Sequence, residues 1–95
     1  MNNKKLYEQQ IEGKLDEWIA DIDKLKARAK QADAETRIAI NQHIEDLQSQ
    51  ETTARKKLKA LHQAGDDSWE DLKVGIADAS QAMGNAVDLA VSRFK

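Results

Sequence analysis

No proline interrupts this chain, and no cysteine can cross-link it or act as a thiolate. Missing cysteine excludes disulfides and cysteine nucleophiles, and it suits a reducing compartment. Missing proline, with Gly13 as the only glycine before Gly65, leaves almost everything up to Gly65 free to be helical. Aromatic residues are limited to Tyr7, Trp18, Trp69 and Phe94, and fourteen of the apolar residues are alanine. Large apolar side chains are therefore scarce, so a lone chain can build only a thin core. The segment Met1-Asn2-Asn3-Lys4-Lys5-Leu6 leads into no long apolar run, so neither a signal peptide nor a membrane-spanning helix is expected. The expected address is the cytoplasm. Charge of one sign is lacking too. Fifteen basic residues face seventeen acidic ones, for a net charge of −2. That balance argues against nucleic-acid binding, which needs a basic face to neutralise phosphates. The 95 residues make one small helical domain, 1–95.

What is present is helical periodicity. Ile11, Leu15, Trp18, Ile22, Leu25, Ala29 and Ala32 follow one another in alternating steps of four and three, the seam of a coiled coil, with Ile19 widening the stripe. The rhythm resumes as Ile40, Ile44, Leu47, Glu51, Ala54, Leu58 and Leu61, broken only by Glu51. Carried forward unchanged, the first register would put Thr36, His43, Asp46 and Gln50 on the seam. Two explanations fit. A four-residue insertion between Thr36 and Ile40 makes a stutter within one continuous helix. Alternatively the chain turns near 32–34, where Lys24, Lys26, Arg28 and Lys30 suit a helix C-terminus and Asp33 and Glu35 an N-terminus, with Asp33 as an N-cap. Ala27, Ala29, Ala32 and Ala34 are strong helix formers, which favours the continuous helix.

A second turn is expected at 62–68. Arg55, Lys56, Lys57 and Lys59 crowd the end of one helix, and Gly65 is placed as its C′ residue. Asp66, Asp67, Glu70 and Asp71 crowd the next start, where Ser68 and Asp71 resemble a capping box. Beyond it Leu72, Met83 and Phe94 align at a period of eleven, as do Ile76 with Val87 and Ala79 with Ala90. The apolar face of this helix adds Ala86 and Val91. The small residues Gly75, Ala79, Ala82, Gly84 and Ala86 would allow close helix approach.

The sequence thus predicts an all-α long helical hairpin: a helix over about 3–63, a turn over about 64–67 and a helix over about 68–94. The alternative is a three-helix bundle with an extra turn near 32–34. In the hairpin, the first helix would be roughly 90 Å long and the returning one roughly 40 Å. The returning helix would pack through Trp69, Leu72, Ile76, Met83, Val87 and Phe94 on Ile44, Leu47, Leu58 and Leu61. It could not reach Ile11, Leu15, Trp18, Ile22 and Leu25, so a second chain is expected to cover that stripe and form a homo-oligomer, a dimer above all. With the extra turn, the bundle closes by itself and requires no partner. The helix of residues 68–95 also carries an alternative function, reversible docking on a lipid surface or hydrophobic particle, which its acidic balance disfavours.

No motif points to catalysis. His43 and His62 are too far apart in the chain for a helical zinc pair. His43 reads as a boundary residue beside Ile44, and His62 as a helix-end partner of the dipole. No Glu-x-x-His, glycine-rich phosphate loop or Gly-x-Ser-x-Gly occurs. No catalytic, cofactor or metal residue, no cofactor and no small-molecule substrate is expected. The run Arg55, Lys56, Lys57 and Lys59 reads as a solvated helix end. Trp18 reads as a core anchor or an interface residue, and Trp69 as a pin for the returning helix.

The segment Leu15-Asp16-Glu17-Trp18-Ile19-Ala20-Asp21-Ile22-Asp23-Lys24-Leu25-Lys26-Ala27, with Trp69-Glu70-Asp71-Leu72-Lys73-Val74-Gly75 downstream, resembles a widespread family. Its members are small bacterial coiled-coil proteins of the stress-response type whose mechanism is unknown. The resemblance implies a soluble, cytoplasmic, helical and non-enzymatic interaction protein, and it transfers no catalytic residue. Secreted helical hairpins with Trp-x-Gly at a central turn do not match, because Trp69 is followed by Glu70 and Asp71.

Overall fold

In the computed structural model, which describes residues 3–65 and 67–94, three helices run up, down and up. They are α1 (Asn3–Gln31), α2 (Ala34–Gln63) and α3 (Trp69–Arg93). Met1, Asn2, Asp66 and Lys95 lie outside the described residues, and with them the part expected of Asp66 at a helix start. The all-α class is as the periodicity predicts. Of the two architectures it allowed, the chain adopts the three-helix bundle.

The continuous first helix is therefore corrected: the chain reverses at Ala32–Asp33. Asp33 is extended (φ −66°, ψ 171°), and its carboxylate accepts the Thr36 backbone N–H at 2.8 Å. Arg37, one turn into α2, closes the other side. Its Nε donates to Ala29 O at 3.1 Å and its Nη2 to Ala32 O at 3.1 Å. The last carbonyls of α1 thus have a donor although the helix has ended. Alanine's helix propensity is outweighed here. Continuing through the turn would add a few backbone bonds, each worth roughly 1 kcal/mol net. Folding back buries Ile11, Leu15, Ile22 and Leu25, at about 1.5–3 kcal/mol per side chain.

The second turn falls where the charge reversal placed it, but its chemistry differs from the expectation. No glycine among the described residues has a positive φ, so Gly65 does not act as a left-handed C′ residue. Ala64 ends α2 in an extended conformation, donating its N–H to Leu61 O. The free carbonyls go instead to Lys4 of α1, whose Nζ donates to Ala64 O at 2.6 Å and to His62 O at 3.1 Å. The capping box is not formed either. Ser68 caps α3 with no side-chain hydrogen bond, and the Asp71 N–H donates to the Ser68 backbone carbonyl at 3.2 Å. At both turns a cation on another helix, Arg37 or Lys4, takes carbonyls that end the preceding helix, and at the first it does so beside the local Asp33 cap.

With three helices of 29, 30 and 25 residues, the bundle measures 51 × 18 × 17 Å, and every stripe finds two neighbours. Ile11, Leu15, Ile22, Leu25 and Ala29 of α1 are buried together with Ile40, Ile44, Leu47, Ala54 and Leu61 of α2. Trp69, Ile76, Met83, Val87 and Ala90 of α3 complete the core, while Trp18, Leu58 and Phe94 pack against it half-buried. The stripe expected to receive a second chain is therefore packed within its own chain. The overhang that called for a second chain there does not exist, because α2 doubles back over α1. Leu72 also departs from its expected packing role, lying 36% exposed at the end of the bundle.

The Thr36 backbone N–H holds the Asp33 carboxyl below its ordinary pKa. A depressed folded-state pKa means the stabilisation is complete above the unfolded value and lost as pH falls through the folded one. Asp33→Ala is thus expected to lower the melting temperature at neutral pH. The difference from wild type should shrink progressively below about pH 4. Thermal melts followed by circular dichroism across that range check it; a difference independent of pH would remove the carboxylate cap as the cause.

Candidate functional site: the outer face of the third helix

Lys4, Arg28, His62 and Arg93 all stand in terminal turns of the helices. His62 is exposed, with Nδ1 3.3 Å from Glu8 Oε2, and Glu8 also lies 3.9 Å from Lys4. That places His62 at the end of α2, the position foreseen for it. His43 is half-buried and meets the Phe94 ring edge-on at 5.3 Å between centroids. Among the described residues, no group of three or more His, Cys, Asp or Glu side chains is gathered that could hold a metal ion. Arg28 and Arg93 stand in the last turns of α1 and α3 and border a cavity of about 410 Å³ with Asp33. There they offset the negative carbonyl ends of two helices, and the Asp33 carboxylate is already engaged as a cap.

At the opposite end, Tyr7 and Trp69 face each other at 6.2 Å, and Lys73 Nζ lies over both rings at 5.4 and 5.6 Å. The Tyr7 hydroxyl donates to Lys73 O at 3.4 Å, and burial raises its pKa. Trp69 thus pins the start of α3 to the start of α1. Of the basic run, Lys57 reaches across to Gly75 O at 3.5 Å and Arg55 pairs with Glu51 at 2.8 Å, both on the bundle surface.

Between α1 and α3 runs a groove of about 520 Å³, floored on α3 by Ala77, Ser80 and Gly84. The Trp18 indole is seated there, and a Cβ added at Gly84 would stand 3.4 Å from its ring. Trp18 is therefore packed within its own chain, against Gly84. Beside it, Ser80 is 6% exposed and its Oγ has no hydrogen-bond partner. Such a group carries its desolvation cost without return.

The surface that stands apart is the outer side of α3. Between Val74 and Ser92 the only charged residues are Asp78 and Asp88, whereas α1 is charged throughout its exposed face and α2 carries Glu45, Asp46 and Glu51 between Ile38 and Ala54. Asp71, Val74, Asp78, Gln81 or Ala82, Asn85, Leu89 and Ser92 are all exposed and follow one another three or four apart, one stripe on the helix with Gln81 and Ala82 side by side at its middle. Val74 is 67% and Leu89 61% exposed. The other strongly exposed apolar residues, Leu6 and Ile38, lie singly on α1 and α2 at opposite ends of the bundle. Periodicity directed attention to the inward stripe of this helix. The legible signal for the outward one was the scarcity of charge over 74–92.

Compared with known protein families, with curated proteins and with solved structures, the chain has no significant match in any of the three. The outer face of α3 thus stands on its own chemistry.

Removing the orphaned hydroxyl should help the fold. Ser80→Ala is expected to stabilise the bundle by about 1 kcal/mol, from lost desolvation cost and better helix propensity. Urea unfolding should show a higher midpoint at unchanged slope. A lower midpoint would mean that Ser80 makes a contact that stabilises the groove.

Proposed function

We propose that this chain is a non-enzymatic helical-bundle protein that acts through self-association, and that copies meet through the outer face of α3. One observation carries the reading. A stripe running the length of α3 is exposed, carries Asp71 and Asp78 as its charged members, and bears Val74 and Leu89. Interfaces are depleted of charged residues at their centre relative to the rest of the surface, and the middle of this face, over 79–87, carries no charge. A dimer is the simplest assembly a single self-complementary stripe makes. A stress-linked role in the cytoplasm belongs to this reading through the family resemblance alone.

Reversible docking on lipid is the second reading, and it has one feature in its favour: α3 is the most apolar of the three helices. Against it, Ile76, Met83 and Val87 are sealed in the core. Glu70, Asp71, Asp78 and Asp88 outnumber Lys73 and Arg93 on the helix, the wrong balance for anionic lipid. No helix among the described residues is long and apolar enough to cross a membrane.

Light scattering coupled to size exclusion tests the first reading. Wild type is expected at twice the 10.7 kDa chain mass, and Val74→Glu with Leu89→Glu at the single-chain mass with helicity unchanged. A wild-type monomer at millimolar concentration would end it. In flotation with anionic vesicles the protein is expected to stay with the soluble fraction. Recovery with the vesicles would transfer the function to lipid docking.

A further inference from the structure

We infer that two copies pair through α3 in antiparallel register, about a two-fold axis between Gln81 and Ala82. This rests on the self-association reading and adds which orientation the two copies take and which residues meet.

The argument is the distribution of charge along the exposed stripe. Asp71 and Asp78 lie in its first half, whereas Asn85, Ser92 and the flanking Asp88 and Arg93 lie in its second. A parallel pair in register sets Asp71 against Asp71 and Asp78 against Asp78, like charges at the centre of the contact. An antiparallel pair centred between Gln81 and Ala82 resolves both. Residue numbers facing each other then sum to about 163, so Asp78 comes level with Asn85 of the second copy, whose amide can donate to it. Asp71 comes level with Ser92 of the second copy, and Arg93 follows one residue on and on the same flank of the contact. Asp71 and Asp78 each meet a donor or cation, the flanking Asp88 comes level with Gly75 of the second copy and meets no acid there, and each match occurs twice by symmetry.

The apolar residues obey the same centre. Val74 comes level with Leu89 of the second copy, so the two exposed apolar side chains bracket each end of the contact. Across the axis itself the small Ala82 meets its own counterpart, which permits close approach, while Gln81 can exchange amide hydrogen bonds with its counterpart. A stripe whose two halves are chemically complementary is what an isologous interface requires. All of these residues are exposed, and Gln81 and Asn85 also line the rim of the groove between α1 and α3.

The chain has no cysteine, so single substitutions report register directly. Ala82→Cys is expected to form a dimeric disulfide readily under mild oxidation, since the two positions meet at the axis. Val74→Cys is expected to remain uncross-linked, because its counterpart lies about 22 Å away along the helix at 1.5 Å per residue. Oxidising Val74→Cys mixed with Leu89→Cys should give the mixed disulfide. Asp71→Arg should weaken dimerisation about tenfold by setting like charges together, and adding Arg93→Asp should recover it. Circular dichroism confirms that each variant is folded.

Self-cross-linking of Val74→Cys would show a parallel pair and overturn the register, leaving self-association through α3 intact. A dimeric mass with no cross-link at any of the three sites would place the interface elsewhere and overturn both. A monomeric wild type would fail the self-association reading before register is tested.

Discussion

The reversal at Ala32–Asp33 is the constraint on which the rest of the molecule depends. A chain with so few large apolar side chains has to put each of them between two neighbours. Three helices of nearly equal length achieve this, and two of very unequal length do not. Once α2 runs back along α1, Ile11, Leu15, Ile22 and Leu25 share one core with Ile40, Ile44, Leu47 and Ala54, and α3 has a cleft to fill. The carboxylate of Asp33 and the guanidinium of Arg37 hold the reversal by taking up the N–H and C=O groups that two helix ends leave unpaired.

The same device appears at the other turn in a different form. There the cation is Lys4, more than fifty residues away in the chain, and its ammonium takes the carbonyls at the end of α2. Together with the Tyr7, Trp69 and Lys73 cluster it ties the start of α1 to the second turn and to the start of α3. One end of the bundle is therefore closed by long-range polar and aromatic contacts, and the other by local ones. At each turn, carbonyls that end the preceding helix have a side-chain donor.

The seam between α1 and α3 is where packing is least complete. Small residues on α3 leave a groove, Trp18 fills part of it, and Ser80 is buried beside it without a partner. Small residues on the inner side of α3 thus have an intrachain explanation: they make room for an indole. Those on its outer side have none. The charge-poor outer stripe, and the complementary order of its acids and donors, are what make an interaction protein the reading that best accounts for this surface.

Helix content, the inward stripes and the second turn were all legible from spacing and charge, because each depends on residues close together in the chain. The shift of register between Ala32 and Ile40 was legible as well, but its meaning was not. A stutter and a turn leave the same local trace, and alanine-rich sequence favours the helix. The difference lies in what each arrangement buries, a sum over residues far apart, which local propensity does not contain. For the same reason the self-association stripe was sought on α1: length arithmetic for one long helix exposed it, and the fold covered it. Sequence alone determined that the chain would be helical and where its apolar residues would recur. Only the tertiary structure decided which of those residues face one another, which cation caps which helix, and which side of α3 is left facing outward.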